Sequence, residues 1–279
     1  MNLEAEESPV ERAIAVDEIG LSFGILGTFR LKTVYQPIFG RLGEMLAPVA
    51  MSAAVRIERG GKPAPEDVLS TLTPDDLALL PRIGRRLAVR NLAYIGCEDP
   101  DFDLMVGLSG DVAALAAEAH ALLDEAKSAG LAKGRICFDL TGLAGASAFG
   151  LLAAGLERLG ASFALDLQAA SVLRSGSGVQ TMPAVVRIPP AWTRRIVGEA
   201  DLLRVFRLLI TTLKRRGAAV QIEGVEDAAQ LRAAIAAGAD RLQGDYLAAP
   251  ALAGTGFDDS PRAFAELIGA PANVVPLSA

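Results

Sequence analysis

Short apolar segments that alternate with alanine- and leucine-rich helical segments constrain the fold of this chain most strongly. The helical segments lie between most of the apolar ones and cover residues 74–92, 111–128, 146–159, 199–216 and 226–237. Such alternation predicts a parallel sheet with right-handed crossovers, and eight strands predict closure into a barrel. The eight segments with the length and composition of strands are 31–39, 49–57, 104–109, 135–140, 162–167, 184–188, 218–223 and 240–243.

The first connection departs from this alternation. Only about nine residues, with Gly40 and Gly43 among them, separate the first two strand segments. This length is too short for a crossover helix, so the two strands should form an antiparallel hairpin. We therefore expect an α/β fold, a modified (β/α)8 TIM-type barrel with an antiparallel first strand. The expected organisation is an N-terminal extension at 1–27, a barrel at 28–253, and a C-terminal helix and tail at 254–279, with the helix over 258–268.

Composition and charge exclude several classes of function. Hydrophobic residues make up 51% of the 279 residues, which is enough for a folded core. The net charge of -6 argues against a nucleic-acid-binding protein, which would need a basic face. One histidine (His120) and two cysteines without CxxC spacing (Cys97 and Cys137) indicate neither a zinc site nor a thiol nucleophile.

Hydropathy predicts a protein that is not associated with a membrane. The opening residues are acidic and lack the apolar segment of a secretory signal. The apolar run at 202–213 is interrupted by Arg204 and Arg207 and is too short to span a bilayer. We therefore expect a cytoplasmic protein with no membrane contact.

Polar side chains recur near the C-terminal ends of the predicted strands, where barrel enzymes place their chemistry. An acidic residue at a strand end can also cap the next helix, so each carboxylate taken alone has two interpretations. Their recurrence on successive strands favours a shared pocket. The positions are Ser52, Arg56, Ser109, Asp139, Asp166, Arg187, Glu223 and Gln243, and the strand that ends at Ser109 passes Gly107.

Three segments resemble the EAL domain, a barrel that hydrolyses cyclic di-GMP in its active members. The first is 29–38, Phe-Arg-Leu-Lys-Thr-Val-Tyr-Gln-Pro-Ile. The second is 221–226, Gln-Ile-Glu-Gly-Val-Glu, followed by Gln230 and Leu231. The third is 239–250, Ala-Asp-Arg-Leu-Gln-Gly-Asp-Tyr-Leu-Ala-Ala-Pro. The resemblance runs from about residue 27 to residue 250 and implies the same barrel fold.

The resemblance also implies that catalytic positions are missing. Active members hold two divalent metals with carboxylates, which polarise a phosphodiester and generate hydroxide. The glutamate that names the domain aligns with Ser52, an asparagine ligand with Gly107, and the second of two aspartates with Leu167. No catalytic residue is therefore expected.

A residual pocket remains in this alignment. It consists of Arg56, Asp139, Asp166, Arg187, Glu223, Glu226 and Gln243. The expected metal content is none, or one weak site at Asp139, Asp166 and Glu223, because the remaining oxygen donors are few. Arg187 aligns with a lysine of the family, and we hypothesise that its guanidinium pairs with Asp166 or Glu223 in place of a metal.

These residues favour a catalytically inactive EAL-like regulatory domain of a bacterial cyclic di-GMP pathway, acting through contact with a regulatory protein. Two alternatives stay open. The domain binds cyclic di-GMP without hydrolysing it, or it is a weakly active cyclic-guanylate-specific phosphodiesterase. Mg²⁺ or Mn²⁺ is expected only with residual activity, and no other cofactor is expected. A homodimer is also open.

Overall fold

The computed structural model describes residues 8–95, 102–110, 112–141, 146–168 and 182–269. The helices are α1 (Pro9–Arg12), α2 (Pro74–Arg90), α3 (Val112–Ser128), α4 (Ala146–Arg158), α5 (Pro190–Ile196), α6 (Ala200–Arg215), α7 (Ala228–Ala237) and α8 (Phe264–Leu267). The strands are β1 (Ile14–Val16), β2 (Ser22–Leu26), β3 (Phe29–Leu42), β4 (Met45–Arg59), β5 (Lys62–Pro63), β6 (Asp103–Gly107), β7 (Ile136–Asp139), β8 (Ser162–Asp166), β9 (Val185–Ile188), β10 (Ala219–Ile222), β11 (Arg241–Leu242), β12 (Ala251–Leu252) and β13 (Arg262–Ala263).

The strands form the barrel that the sequence predicts. Hydrogen-bonded neighbours follow the order β3-β11-β10-β9-β8-β7-β6-β4, and β3 also pairs with β4, so that eight strands close. The pairs β6–β7, β8–β9, β9–β10 and β10–β11 are parallel. The first of the eight, β3, runs antiparallel to β11, with Phe39 opposite Leu242. The modified barrel with an antiparallel first strand is therefore confirmed.

The connection between the first two barrel strands is shorter than predicted. Strand β3 ends at Leu42 and strand β4 begins at Met45, so two residues connect them. Gly43 in this turn has a φ of 63°. The nine-residue connection was wrong because Gly40, taken as a turn residue, lies inside β3. A Cβ at Gly40 would lie 2.6 Å from the Val49 side chain. Glycine within a strand commonly marks such a close approach.

Residues ahead of the barrel add two strands that the sequence analysis does not predict. Strand β1 pairs with β2, and β2 pairs antiparallel with β3, with Gly24 opposite Leu31. A buried cluster of Val10, Leu26, Leu31, Ile83 and Leu87 packs this extension.

The predicted C-terminal helix over 258–268 was wrong in its extent. Helix α8 covers only Phe264–Leu267, because Arg262 and Ala263 pair with β4 as strand β13. The Arg262 guanidinium lies over the Phe39 ring and donates to the Leu247 carbonyl at 2.7 Å. These contacts hold the segment extended.

The chain divides into two units by its contacts. The first contains 1–36, 51–163 and 250–258, and the second contains 37–50, 164–249 and 259–279. In the second unit, the apolar faces of β9–β11 and of α5–α7 share one core, which includes Ile188, Phe206, Ile210, Ile222 and Leu231. In the parts of the chain that the structure describes, no helix is long and apolar enough to cross a bilayer.

Candidate functional site

The strand ends of the second unit bring Arg187 and Glu223 together. Strands β9 and β10 are parallel neighbours with Arg187 opposite Gln221, and Glu223 follows on the same face two residues later. Arg187 Nε donates to Glu223 Oε1 at 2.5 Å, and Nη2 donates to Oε2 at 3.1 Å. This is a bidentate ion pair, the strong geometry for guanidinium and carboxylate. The hypothesis that Arg187 pairs with Glu223 is confirmed.

Two glutamines extend this pair into what we call the Glu223 network: Arg187, Glu223, Gln221 and Gln243. Gln221 Nε2 donates to Glu223 Oε1 at 3.1 Å and to Gln243 Oε1 at 3.0 Å. Both glutamines are buried. Gln221 was not among the predicted pocket residues, although the alternation of a strand places it on the face of Glu223. Among the described residues, Gln221 Oε1 has no hydrogen-bond partner.

Close backbone contacts frame the network. Thr193 on α5 donates its hydroxyl to the Glu223 carbonyl at 2.5 Å. Gly224 has a φ of 68°, and a Cβ there would lie 2.4 Å from Pro190 Cβ. A Cβ at Gly244 would lie 2.2 Å from the Val225 carbonyl oxygen. Neither glycine can be replaced without moving the strand ends that carry Glu223 and Gln243.

Glu226 lies at the surface beside α5. Its carboxylate meets Arg194 Nη1 at 3.4 Å, with side chains 53% and 56% exposed. Its backbone N–H donates to the Gln230 side chain at 2.8 Å, next to the N-terminus of α7. An ion pair this exposed contributes little to stability.

Asp166 and Leu167 follow β8 in the same unit. Asp166 lies opposite Arg187 in the parallel register, and it is half-buried. Leu167 donates its backbone N–H to the Arg187 carbonyl at 2.8 Å and packs against the core of the second unit. An apolar side chain thus stands where the resemblance requires a metal-binding carboxylate.

The first unit holds the other predicted positions. Asp139 Oδ1 accepts hydrogen bonds from the backbone and hydroxyl of Thr141, at 3.1 and 2.5 Å, which stabilises the turn after β7. Gly107 lies opposite Asp139 in the register, and its carbonyl accepts from Arg85 Nη1 at 3.3 Å. Ser52 and Arg56 are half-buried on β4.

Buried charge next to Gly107 is already paired within the first unit. Arg85, 5% exposed, makes a bidentate ion pair with Glu118, at 2.8 and 2.9 Å. Cys97 and the segment 169–181 lie outside the described residues.

The described residues do not fit a two-metal centre. They contain no group of three or more His, Cys, Asp or Glu side chains arranged to hold an ion. Both carboxylate oxygens of Glu223 already accept from the Arg187 guanidinium. A divalent cation placed beside this carboxylate would meet a permanent positive charge.

Several solved structures share the architecture of this chain. A standalone EAL protein from Vibrio cholerae O395 in its c-di-GMP-bound form is 18% identical with a TM-score of 0.66, covering 83% of this chain and 96% of that one. The FimX EAL domain from Pseudomonas aeruginosa bound to c-di-GMP is 19% identical with a TM-score of 0.63, covering 82% and 94%. BlrP1 from Klebsiella pneumoniae, in a manganese/cy-diGMP complex, is 16% identical with a TM-score of 0.66, covering 84% and 59%.

These three likenesses show the fold. A comparison with the curated proteins finds no match. The family model described as EAL domain matches residues 26–250, which is most of the chain. The chain therefore belongs to the EAL domain family.

Proposed function

We propose that this EAL domain is a regulatory module that does not hydrolyse cyclic di-GMP and acts through contact with a partner protein. The observation that carries the proposal is the bidentate pair between Arg187 and Glu223. It uses both carboxylate oxygens of Glu223, the residue that follows β10.

The chemistry of a guanidinium explains why this pair opposes hydrolysis. Arginine remains protonated in proteins and offers five N–H donors with no acceptor, so it can neither bind a metal nor take a proton from water. Hydrolysis in active members depends on a metal-bound hydroxide. Ser52, Gly107 and Leu167 supply no carboxylate that could replace Glu223.

Binding without hydrolysis is the second candidate function. The strand ends around Gln243 and Gly244 are closely packed, and Arg56 on β4 is half-buried. All three of the similar structures named above contain c-di-GMP. A ligand held by the strand ends around Gln243 would bind without needing the missing carboxylates.

A hydrolysis assay separates the proposals. The purified protein is incubated with cyclic di-GMP and excess Mn²⁺ or Mg²⁺, and the linear product is followed by chromatography beside an active EAL phosphodiesterase. We expect no product above the protein-free control. Product that forms with metal and disappears in Glu223→Gln would overturn the proposal. Calorimetry with the same nucleotide and no metal tests the second candidate, because heat of binding without product would support it.

A further inference from the structure

Helix α6 has a second apolar row that its own fold does not use. Phe206 and Ile210 face the core of the second unit and are buried. On the outward side, Val205 is 59% exposed and Leu208 is 67% exposed. Residues three and four apart share one face of a helix, so Val205, Leu208 and Thr212 form a continuous row. Neighbouring exposed aliphatic side chains point to an interaction site where they form a contiguous patch.

The threonines of this face direct their hydroxyl protons into the helix. Thr211 Oγ1 donates to the Arg207 carbonyl at 2.7 Å, and Thr212 Oγ1 donates to the Leu208 carbonyl at 2.8 Å. Hydroxyl groups that bond back to the residue four earlier offer no donor to water. The row is therefore less polar than its residue types suggest.

Positive charge borders the row. Arg204, Arg207 and Arg215 are exposed along the outward side, in a chain whose net charge is -6. Arg204 lies 3.6 Å from Asp201 in a pair whose side chains are 77% and 99% exposed, so the pair is weak. Among the described residues, Arg207 and Arg215 have no ion-pair partner. The charge of this face is available to an incoming group.

We propose that this face, the α6 surface (Arg204, Val205, Arg207, Leu208, Thr212 and Arg215), docks an acidic amphipathic helix of a partner protein. Aliphatic residues spaced along one helical face are the usual anchors between two helices. The arginines then pair with acidic residues beside those anchors, which gives orientation and specificity. The inference rests on the proposed function, because a module that signals by contact needs a surface of this kind.

Charge and geometry disfavour two other occupants. A second copy bound through a two-fold axis would bring the same patch of both subunits together, so two patches that each carry Arg204, Arg207 and Arg215 would meet and repel one another. A lipid surface favours helices that bury a broad apolar face. The broad apolar face of α6, with Phe206 and Ile210, is already packed on the protein core.

A pair of synthetic peptides tests the proposal on the full chain. One is a fluorescent helical peptide with leucines at i, i+3 and i+7 flanked by glutamates, and the other carries lysines in place of the glutamates. Fluorescence anisotropy should show binding of the glutamate peptide and none of the lysine peptide. Val205→Ser with Leu208→Ser should weaken binding by about tenfold or more, as the loss of central anchors does. Leu151→Ser, which changes a side chain 72% exposed on α4, is the matched control and should bind normally.

Charge exchange gives the decisive comparison. Arg207→Glu with Arg215→Glu should lose the glutamate peptide and gain the lysine peptide. Equal binding of both peptides, or binding unchanged by the serine substitutions, would overturn the proposal.

Two further measurements distinguish the other occupants. Sedimentation with phosphatidylglycerol vesicles that depends on Val205 and Leu208, without peptide binding, would replace the proposal with a lipid surface. A dimer seen by light scattering that the serine substitutions abolish would replace it with self-association. The hydrolysis assay does not depend on α6, so the proposed function and this inference fail separately.

Discussion

Arg187→Met tests the ion pair between Arg187 and Glu223. The substitution leaves the Glu223 carboxylate, whose side chain is 13% exposed, with the hydrogen bond from Gln221 at 3.1 Å. Removing one partner of a buried ion pair costs about 3–5 kcal/mol, because the remaining charge is uncompensated. The side chains of the pair keep 20% and 13% of their exposure. Water therefore screens part of this cost, and we expect about 3 kcal/mol.

The companion substitution Glu223→Gln removes the charge and keeps an amide of similar shape. It should cost less, about 1–2 kcal/mol, because charge-assisted hydrogen bonds become ordinary ones and Arg187 reaches solvent more easily. In the double variant no unpaired carboxylate remains. The double variant should therefore be more stable than Arg187→Met alone, by about 1 kcal/mol.

Urea unfolding followed by circular dichroism measures these differences as shifts of the midpoint at constant slope. Arg194→Met is the matched control, since Arg194 pairs with Glu226 at the surface. It should change the free energy of unfolding by less than about 0.5 kcal/mol. If Arg187→Met changed it equally little, or if the two single effects were additive, the pair would not hold the site as argued.

Three other predictions test the surroundings of the network and of the extension. In urea unfolding, Gly244→Ala should destabilise the protein by more than about 3 kcal/mol, because its Cβ would lie 2.2 Å from the Val225 carbonyl oxygen. Gly256→Ala is the control and should be nearly neutral, since no atom lies within 4 Å of its Cβ. Asn91→Leu should cost at least about 2 kcal/mol in the same assay, since Asn91 bonds the Ser22 N–H at 2.8 Å, the Ser22 carbonyl at 2.7 Å and the Thr33 hydroxyl at 3.0 Å, all buried; an unchanged midpoint would contradict this account. We expect no metal to bind, so Mn²⁺ or a chelator should move the melting temperature by less than about 1 °C. A metal bound to the native state would raise the melting temperature by more.

The barrel could be predicted from the sequence because its signals are local and repeated. Each of the later strands is a short apolar run beside a helical segment, and the structure places them within a few residues of the prediction. The first two strands were harder, since glycine marks both turns and close approaches. Gly40 is of the second kind, and its contact with Val49 is a tertiary fact. Strand β13 likewise depends on the edge of β4.

The part of the site that could be predicted is the part whose residues lie at the ends of neighbouring strands. Parallel strands bring Arg187 and Glu223 to one edge, and their opposite charges complete the pair. Gln221 was missed because it lies two positions before Glu223 on the same face, inside β10 and not at its end. Glu226 was placed in the pocket by motif alone. The turn into α7 carries it to the surface, where it meets Arg194.

The ion pair of Glu223 with Arg187 changes how the motif around Glu223 should be interpreted. In a domain that binds metal, this carboxylate would be needed for the ion. Here Arg187 supplies a fixed cation, and a half-buried guanidinium without a counter-charge would destabilise the fold. Glu223 then contributes to stability whether or not the domain catalyses a reaction. The survival of the motif around Glu223 and Gly224 is therefore explained by the ion pair and by the contact with Pro190, and it does not by itself indicate phosphodiesterase activity.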